Sequence, residues 1–177
     1  MLGACVEVST RFAIEDDLQT LAIYEREIAC RSFPDDPITD LQYHYDKLKR
    51  AMRAEPDGMV VLTLEEDVVG WLWMRTKVSL ATKERYGVLQ SLYVREDLRN
   101  QGLAKSLAQY CIRYFENRGI HRIVCKVHHE NDSGRALLQR VGLTPMHLTY
   151  EYRTPLHPQP PEEDEDAWEY TGGDDVV

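Results

Sequence analysis

No stretch of this 177-residue sequence approaches the ~20 consecutive apolar positions that a membrane-spanning helix requires. The opening residues, Met1 to Asp17, lack both the basic start and the apolar core of a secretory signal, so a cytoplasmic location is expected. Cysteine is scarce: Cys5, Cys30, Cys111 and Cys125 stand far apart, with no C-x-x-C pair and no metal spacing. They are expected to be reduced, buried thiols, Cys111 on the apolar face of a helix and Cys125 within a strand. Ten glycines and eight prolines are too few for a collagen-like or low-complexity chain. No basic stripe suited to a nucleic-acid partner is present. Two phosphate-binding patterns are also missing, the G-x-x-x-x-G-K-[ST] loop and the G-x-G-x-x-G turn.

What remains is ordinary for one soluble globular domain, with 43% hydrophobic and 29% charged residues. The net charge of −9 belongs to one end of the chain. Eight of the 30 acidic residues fall within 162–177, where there is no Lys or Arg, and the rest of the chain is close to neutral. Pro155, Pro158, Pro160 and Pro161 precede that run and read as a linker. The expected organisation is one domain over residues 1–155 and a Pro-rich, then acidic, tail over 156–177. Trp168 and Tyr170 could anchor the tail on a neighbouring subunit, as in a homodimer.

Apolar spacing orders the elements. Val6 to Phe12 reads as a strand. A helix follows with Leu18, Leu21, Ala22 and Ile28, broken by the stretch Arg31 to Pro37. A second helix carries Leu41, Tyr45, Leu48 and Met52 and stops at Pro56-Asp57-Gly58. Met59 to Leu64 and Val68 to Met74 form a hairpin, and Val88 to Val94 is a third strong strand. Leu103, Leu107, Cys111 and Phe115 mark a helix closed by Gly119. His121 to Val127, a short helix from Ser133 to Val141, and a final strand from Met146 to Tyr152 complete the chain. The order β-α-α-β-β-β-α-β-α-β implies an α/β fold with a mixed sheet flanked by helices.

The most specific local feature is the turn Arg99-Asn-Gln-Gly102-Leu-Ala104 between a strong strand and a strong helix. Free N–H groups and the dipole at a helix N-terminus favour phosphate oxygens, Gly102 permits close approach, and Arg99 could add charge-assisted bonds. This turn resembles the acetyl-CoA motif [RQ]-x-x-G-x-[GA] of the GCN5-related N-acetyltransferase (GNAT) superfamily. Asn131 to Leu143 is similar to that family's downstream segment, N-x-x-A-x-x-L-Y-x-x-x-G-F, with the spacing from Asn131 to Gly142 preserved. The element order also resembles the family's, so the likeness covers about residues 5–153.

The resemblance implies acetyl-CoA as co-substrate and a pair of splayed central strands. The pantetheine arm would enter the gap and pair with the backbone of Leu92, Tyr93 and Val94. One N–H there would face the thioester oxygen, as in an oxyanion hole. The pyrophosphate would rest on Arg99, Asn100, Gln101, Gly102, Leu103, Ala104, Lys105 and Ser106. Asn131 would hydrogen-bond the pantetheine region. The family's usual base positions are here Val88 and Gln90, and its usual acid position is Leu138, none able to move a proton. Ser91 and Tyr93 alternate onto the strand face opposite Gln90.

Among His128, His129 and Glu130, adjacent side chains point to opposite faces, so only one histidine can look into a cleft. That spacing is also wrong for a metal site. Tyr93 and His128 are the catalytic candidates, with Tyr150 and Tyr152 as alternatives. On the acceptor side, Asp35, Asp36 and Asp40 could attract a cationic amine, and Trp71 and Trp73 share a strand face that could line a pocket. The expected activity is direct acetyl transfer, within a ternary complex, to a primary amine of a small molecule or of a protein N-terminus or lysine. The alternatives are a non-catalytic acyl-CoA-binding domain and an interaction module built around the tail.

Overall fold

Period-two alternation of apolar residues builds the centre of the fold. In the computed structural model, which describes residues 8–150 and 152, the chain order is β1 (Val8–Phe12), α1 (Leu18–Ser32), α2 (Leu41–Ala54), β2 (Met59–Leu64), β3 (Asp67–Val78), β4 (Arg85–Val94), α3 (Leu103–Glu116), β5 (Ile123–Cys125) and α4 (Asp132–Arg140). The strands form one mixed sheet in the order β1-β2-β3-β4-β5. Every pairing is antiparallel except β4 with β5.

Both faces of the sheet are covered. Met59, Val61, Trp71, Trp73 and Tyr93 face α1 and α2, packing on Leu18, Leu21 and Leu48. Val60, Leu72, Met74 and Leu89 face α3, packing on Leu107, Cys111 and Phe115, with Leu138 of α4 at the border. Each fully buried Leu or Val on these faces is worth about 1.5–3 kcal/mol. Gly87 sets the approach of α3: a Cβ there would lie 2.6 Å from the Phe115 ring. Bare backbone at this point lets the helix lie close against β4.

Asp17 ties the start of α1 to the sheet. Its buried carboxylate accepts both Arg11 guanidinium bonds, at 2.7 and 2.8 Å, and the Ile14 N–H at 2.8 Å. Burial alone would raise its pKa, but these donors outweigh burial and hold it below the ordinary carboxylate value. A depressed folded pKa gives stability that is present above the unfolded value of ~3.9 and lost as pH falls through the folded one. Asp17→Asn should therefore cost about 2 kcal/mol at neutral pH. The gap between variant and wild type should narrow in acid, as read by urea unfolding at pH ~7 and pH ~3.

The chain divides after Thr144. The first unit holds every helix and strand among the described residues; in the second, residues 145–150 and 152 form none. The expected closing strand, Met146 to Tyr152, is thus not formed over its described residues, and Leu148, Tyr150 and Tyr152 are exposed. β5 is also shorter than the expected His121 to Val127. Alternation makes a strand only where a partner edge accepts it, and packing context overrides propensity. The expected tail, with Trp168 and Tyr170, lies outside the described residues, as does Cys5. Cys30 corrects the expectation of buried thiols: it is exposed, whereas Cys111 is buried. Burial pushes the Cys111 thiol up to about 12 and that of Cys125 up to about 11. No helix among the described residues is long and apolar enough to cross a membrane.

Candidate functional site

The register between β3 and β4 slips at one point. Trp73 lies opposite Ser91 but Met74 lies opposite Leu89, so Gln90 is an extra residue in β4, a β-bulge. Plain alternation puts Val88 and Ser91 on opposite faces. The bulge corrects this: Val88 faces Arg75 and Ser91 faces Trp73, both on the side of α1 and α2.

Hydrogen-bond phase then identifies an open edge. Arg95 donates its N–H to Val69 at 2.8 Å, and bonded and non-bonded pairs alternate along an antiparallel ladder. With Tyr93 opposite Trp71 and Leu92 opposite Leu72, Tyr93 bonds to β3 while the backbone groups of Leu92 and Val94 point away from it. The Val94 carbonyl agrees, since it accepts from Arg99 Nε at 3.0 Å. On that side β5 pairs only with Gly87, Val88 and Leu89. Of the three residues expected to pair with a ligand arm, Leu92 therefore presents both its N–H and its carbonyl on the open edge, Val94 presents its N–H while Arg99 holds its carbonyl, and Tyr93 presents neither.

The turn after β4 supplies the adjacent donors. Asn100 and Gly102 both adopt left-handed backbone, φ 63° and φ 82°, which Gly tolerates freely and Asn better than most residues. Gly102 caps α3, and the first helical bond runs from Ser106 N–H to the Gly102 carbonyl at 3.0 Å. The amides of Leu103, Ala104 and Lys105 precede that bond and have no partner within the helix. A Cβ on Gly102 would meet nothing within 4 Å, so the space into which that position points at the start of α3 is open. Arg99 holds this turn against β4: beyond its bond to Val94, its guanidinium sits 5.6 Å from the Tyr93 ring centroid and 3.8 Å from Glu96. An extended edge carrying amide donors and acceptors, followed by a helix N-terminus with open space before it, fits an amide-containing arm that ends in phosphates.

Tyr93 faces α1. Its ring stacks on Tyr24 at 4.2 Å, and its hydroxyl donates to Glu27 Oε2 at 2.6 Å. Burial and that bond push the phenol up to about 12. Sequence reading missed Glu27; the available signal was a carboxylate three and four residues before Cys30 and Arg31, on one side of α1.

A cleft of about 360 Å³ is lined by Cys30 and Arg31 from the last turn of α1, by Pro34 in the turn beyond it, and by His128, Glu130 and Asn131 from the loop before α4. His128 lines it and His129, 79% exposed, does not. The Glu130 N–H donates to His128 Nδ1 at 3.4 Å, and the Glu130 carboxylate lies 4.0 Å from the same nitrogen. Asn131 caps α4 by accepting the Gly134 N–H at 2.9 Å through Oδ1, which leaves its Nδ2 protons for another partner.

Other candidates fall elsewhere. Trp71 and Trp73 stack on each other inside the core, 0% and 5% exposed, so they do not line a pocket. Asp35 and Asp36 are exposed and absent from the cleft lining, and Asp40 caps α2 by accepting the Gln42 N–H. Leu138 packs against the core beside α3.

The sequence profile of the acetyltransferase (GNAT) family matches residues 21–143. The chain belongs to that family. Solved structures of the same fold include a possible acetyltransferase from Clostridium difficile 630, with TM-score 0.67 and 20% identity over 83% of this chain and 97% of that one. A GCN5-related N-acetyltransferase from Ralstonia eutropha JMP134 gives TM-score 0.66 and 17% identity, covering 83% and 99%. A ribosomal-protein-alanine N-acetyltransferase from Brucella melitensis biovar Abortus 2308 gives 0.62 and 18%, covering 84% and 100%. At these identities the likeness is one of fold. No curated protein matches by sequence. As a member of the GNAT family, the chain has the family's mixed sheet and flanking helices.

Proposed function

We propose that this GNAT protein transfers an acetyl group from acetyl-CoA directly to a primary amine within a ternary complex. The observation that carries the reading is the open edge at Leu92 and Val94, continuous with the amides that begin α3. When bound, acetyl-CoA would supply an acetyl group activated as a thioester. Leu92 and Val94 would hold its arm as an added strand, with one N–H toward the carbonyl oxygen. The backbone amides of Leu103, Ala104 and Lys105 would hold the phosphates, the Ser106 N–H being already donated to the Gly102 carbonyl, and Asn131 Nδ2 would donate to the arm. His128, at the cleft, would take the proton from the attacking amine at Nδ1, the ring nitrogen that accepts the long Glu130 N–H bond and so carries the lone pair, with the Glu130 carboxylate 4.0 Å away to favour the charged ring. As the C–N bond forms and the C–S bond breaks, the sulfur would take its proton from water. Tyr93 would be a positioning residue, because a phenol near 12 is a weaker acid than a thiol at ~8.5.

The competing reading is a domain that binds acyl-CoA without catalysis, favoured by Val88, Gln90 and Leu138 at the family's usual acid and base positions. Thiol release from acetyl-CoA with a panel of primary amines tests both. Turnover with any amine supports transfer, whereas tight binding with a flat panel favours the competitor. Asn131→Ala should weaken acetyl-CoA binding by about 1 kcal/mol in a calorimetric titration. Loss of the cap on α4 should also lower the melting temperature slightly.

A further inference from the structure

The cleft that holds His128 carries two opposite charges that do not pair with each other. Arg31, from the last turn of α1, and Glu130, from the loop before α4, both line it. Among the described residues, Arg31 makes no ion pair and no side-chain hydrogen bond, and the ion contacts of Glu130 are loose ones to His128 and His129, at 4.0 and 3.8 Å. A simple amine would satisfy Glu130 but bring a second cation beside Arg31. An anion would do the reverse. A ligand bearing both charges satisfies both walls without adding net charge to the cleft. Its volume, about 360 Å³, is at the small end of ligand sites.

We infer that the acceptor is a small amino carboxylate, its carboxylate on Arg31 and its amine toward Glu130 and His128. The inference rests on the acetyl-transfer reading and names the acceptor class that reading leaves open. A guanidinium suits a carboxylate because its planar fork can donate two parallel bonds.

The test compares each amino acid with the amine that lacks its carboxylate, alanine with ethylamine and lysine with cadaverine. Thiol release from acetyl-CoA is measured on the full chain, and calorimetry follows each amino acid binding to the protein alone. The expected wild-type preference for the carboxylate-bearing partner is about tenfold or more in kcat/KM. Arg31→Gln should bring that ratio near one, mainly through KM, and abolish the amino-acid heat; Arg31→Lys should restore part of both. Equal kcat/KM within each pair overturns the inference, as does a preference that survives Arg31→Gln. So does an equal loss on both partners with a lowered melting temperature, which would make Arg31 only a partner for the α1 C-terminus. If no amine supports thiol release, the transfer reading fails by itself. Amino-acid heat that disappears in Arg31→Gln would still support the binding site, and absence of heat in the wild type would overturn it.

Discussion

Replacing Gly102 with tryptophan should abolish acetyl-CoA binding while leaving the protein folded. The position has φ 82° and nothing within 4 Å of an added Cβ. The substitution therefore meets no wall and carries only the cost of an L-residue in left-handed backbone, about 1–2 kcal/mol. A new indole would instead stand in the open space before the amides of Leu103, Ala104 and Lys105. A fall in affinity of about 100-fold or more is expected, because several charge-assisted bonds to phosphate would be lost together. Calorimetric titration with acetyl-CoA and with CoA reads the loss, and a circular-dichroism melt checks the fold. A folded variant that binds like wild type would show that the turn after β4 is not where the phosphates rest.

Truncating His128 should lower kcat by about 100-fold if its imidazole takes the amine proton. His129→Ala, removing a ring outside the cleft, should do little. Two further readings separate a catalytic imidazole from a structural one. Added imidazole should restore part of the activity of His128→Ala. The defect should also shrink with acceptors whose amine is already unprotonated at the assay pH, since those need less help losing a proton. Affinity for acetyl-CoA should be unchanged, because its expected contacts lie on β4, α3 and Asn131. Wild-type turnover in His128→Ala would return the proton to solvent and leave positioning as the whole of catalysis.

The sequence was legible wherever local pattern and tertiary context agree. Met59 to Leu64 is a strand end to end because both of its faces are buried and its neighbours on each side are strands. The turn from Arg99 to Ala104 was legible because glycine at a strand-to-helix junction has a backbone reason that survives without knowledge of the partner. Met146 to Tyr152 has an equally good alternating pattern, yet a strand needs an edge to join, and nothing in seven residues encodes one. Trp71 and Trp73 show the same limit from the other side: alternation put them on one face but could not say that α1 and α2 cover it. The cleft was the least legible part. It joins the end of α1 to a loop about a hundred residues later, and Cys30 and Arg31 gain meaning only through that meeting.

Gln90 has a consequence that goes beyond hydrogen-bond phase. An extra residue inserted into one strand leaves the residues before and after it opposite the partners they would otherwise have: Leu89 still faces Met74 and Ser91 still faces Trp73. Compared with a strand lacking Gln90, every apolar side chain keeps its side, whereas unbroken alternation of the same residues would carry Leu89 and Val88 to the opposite faces. A bulge bends its strand as a rule, and the pairing with β5 stops at Leu89, next to the added residue. An aperture is usually made by taking atoms out of a packed interior, with the loss of contacts that follows. Here it is made by chain length, outside the packing altogether, so the opening and the stability of the core can vary independently.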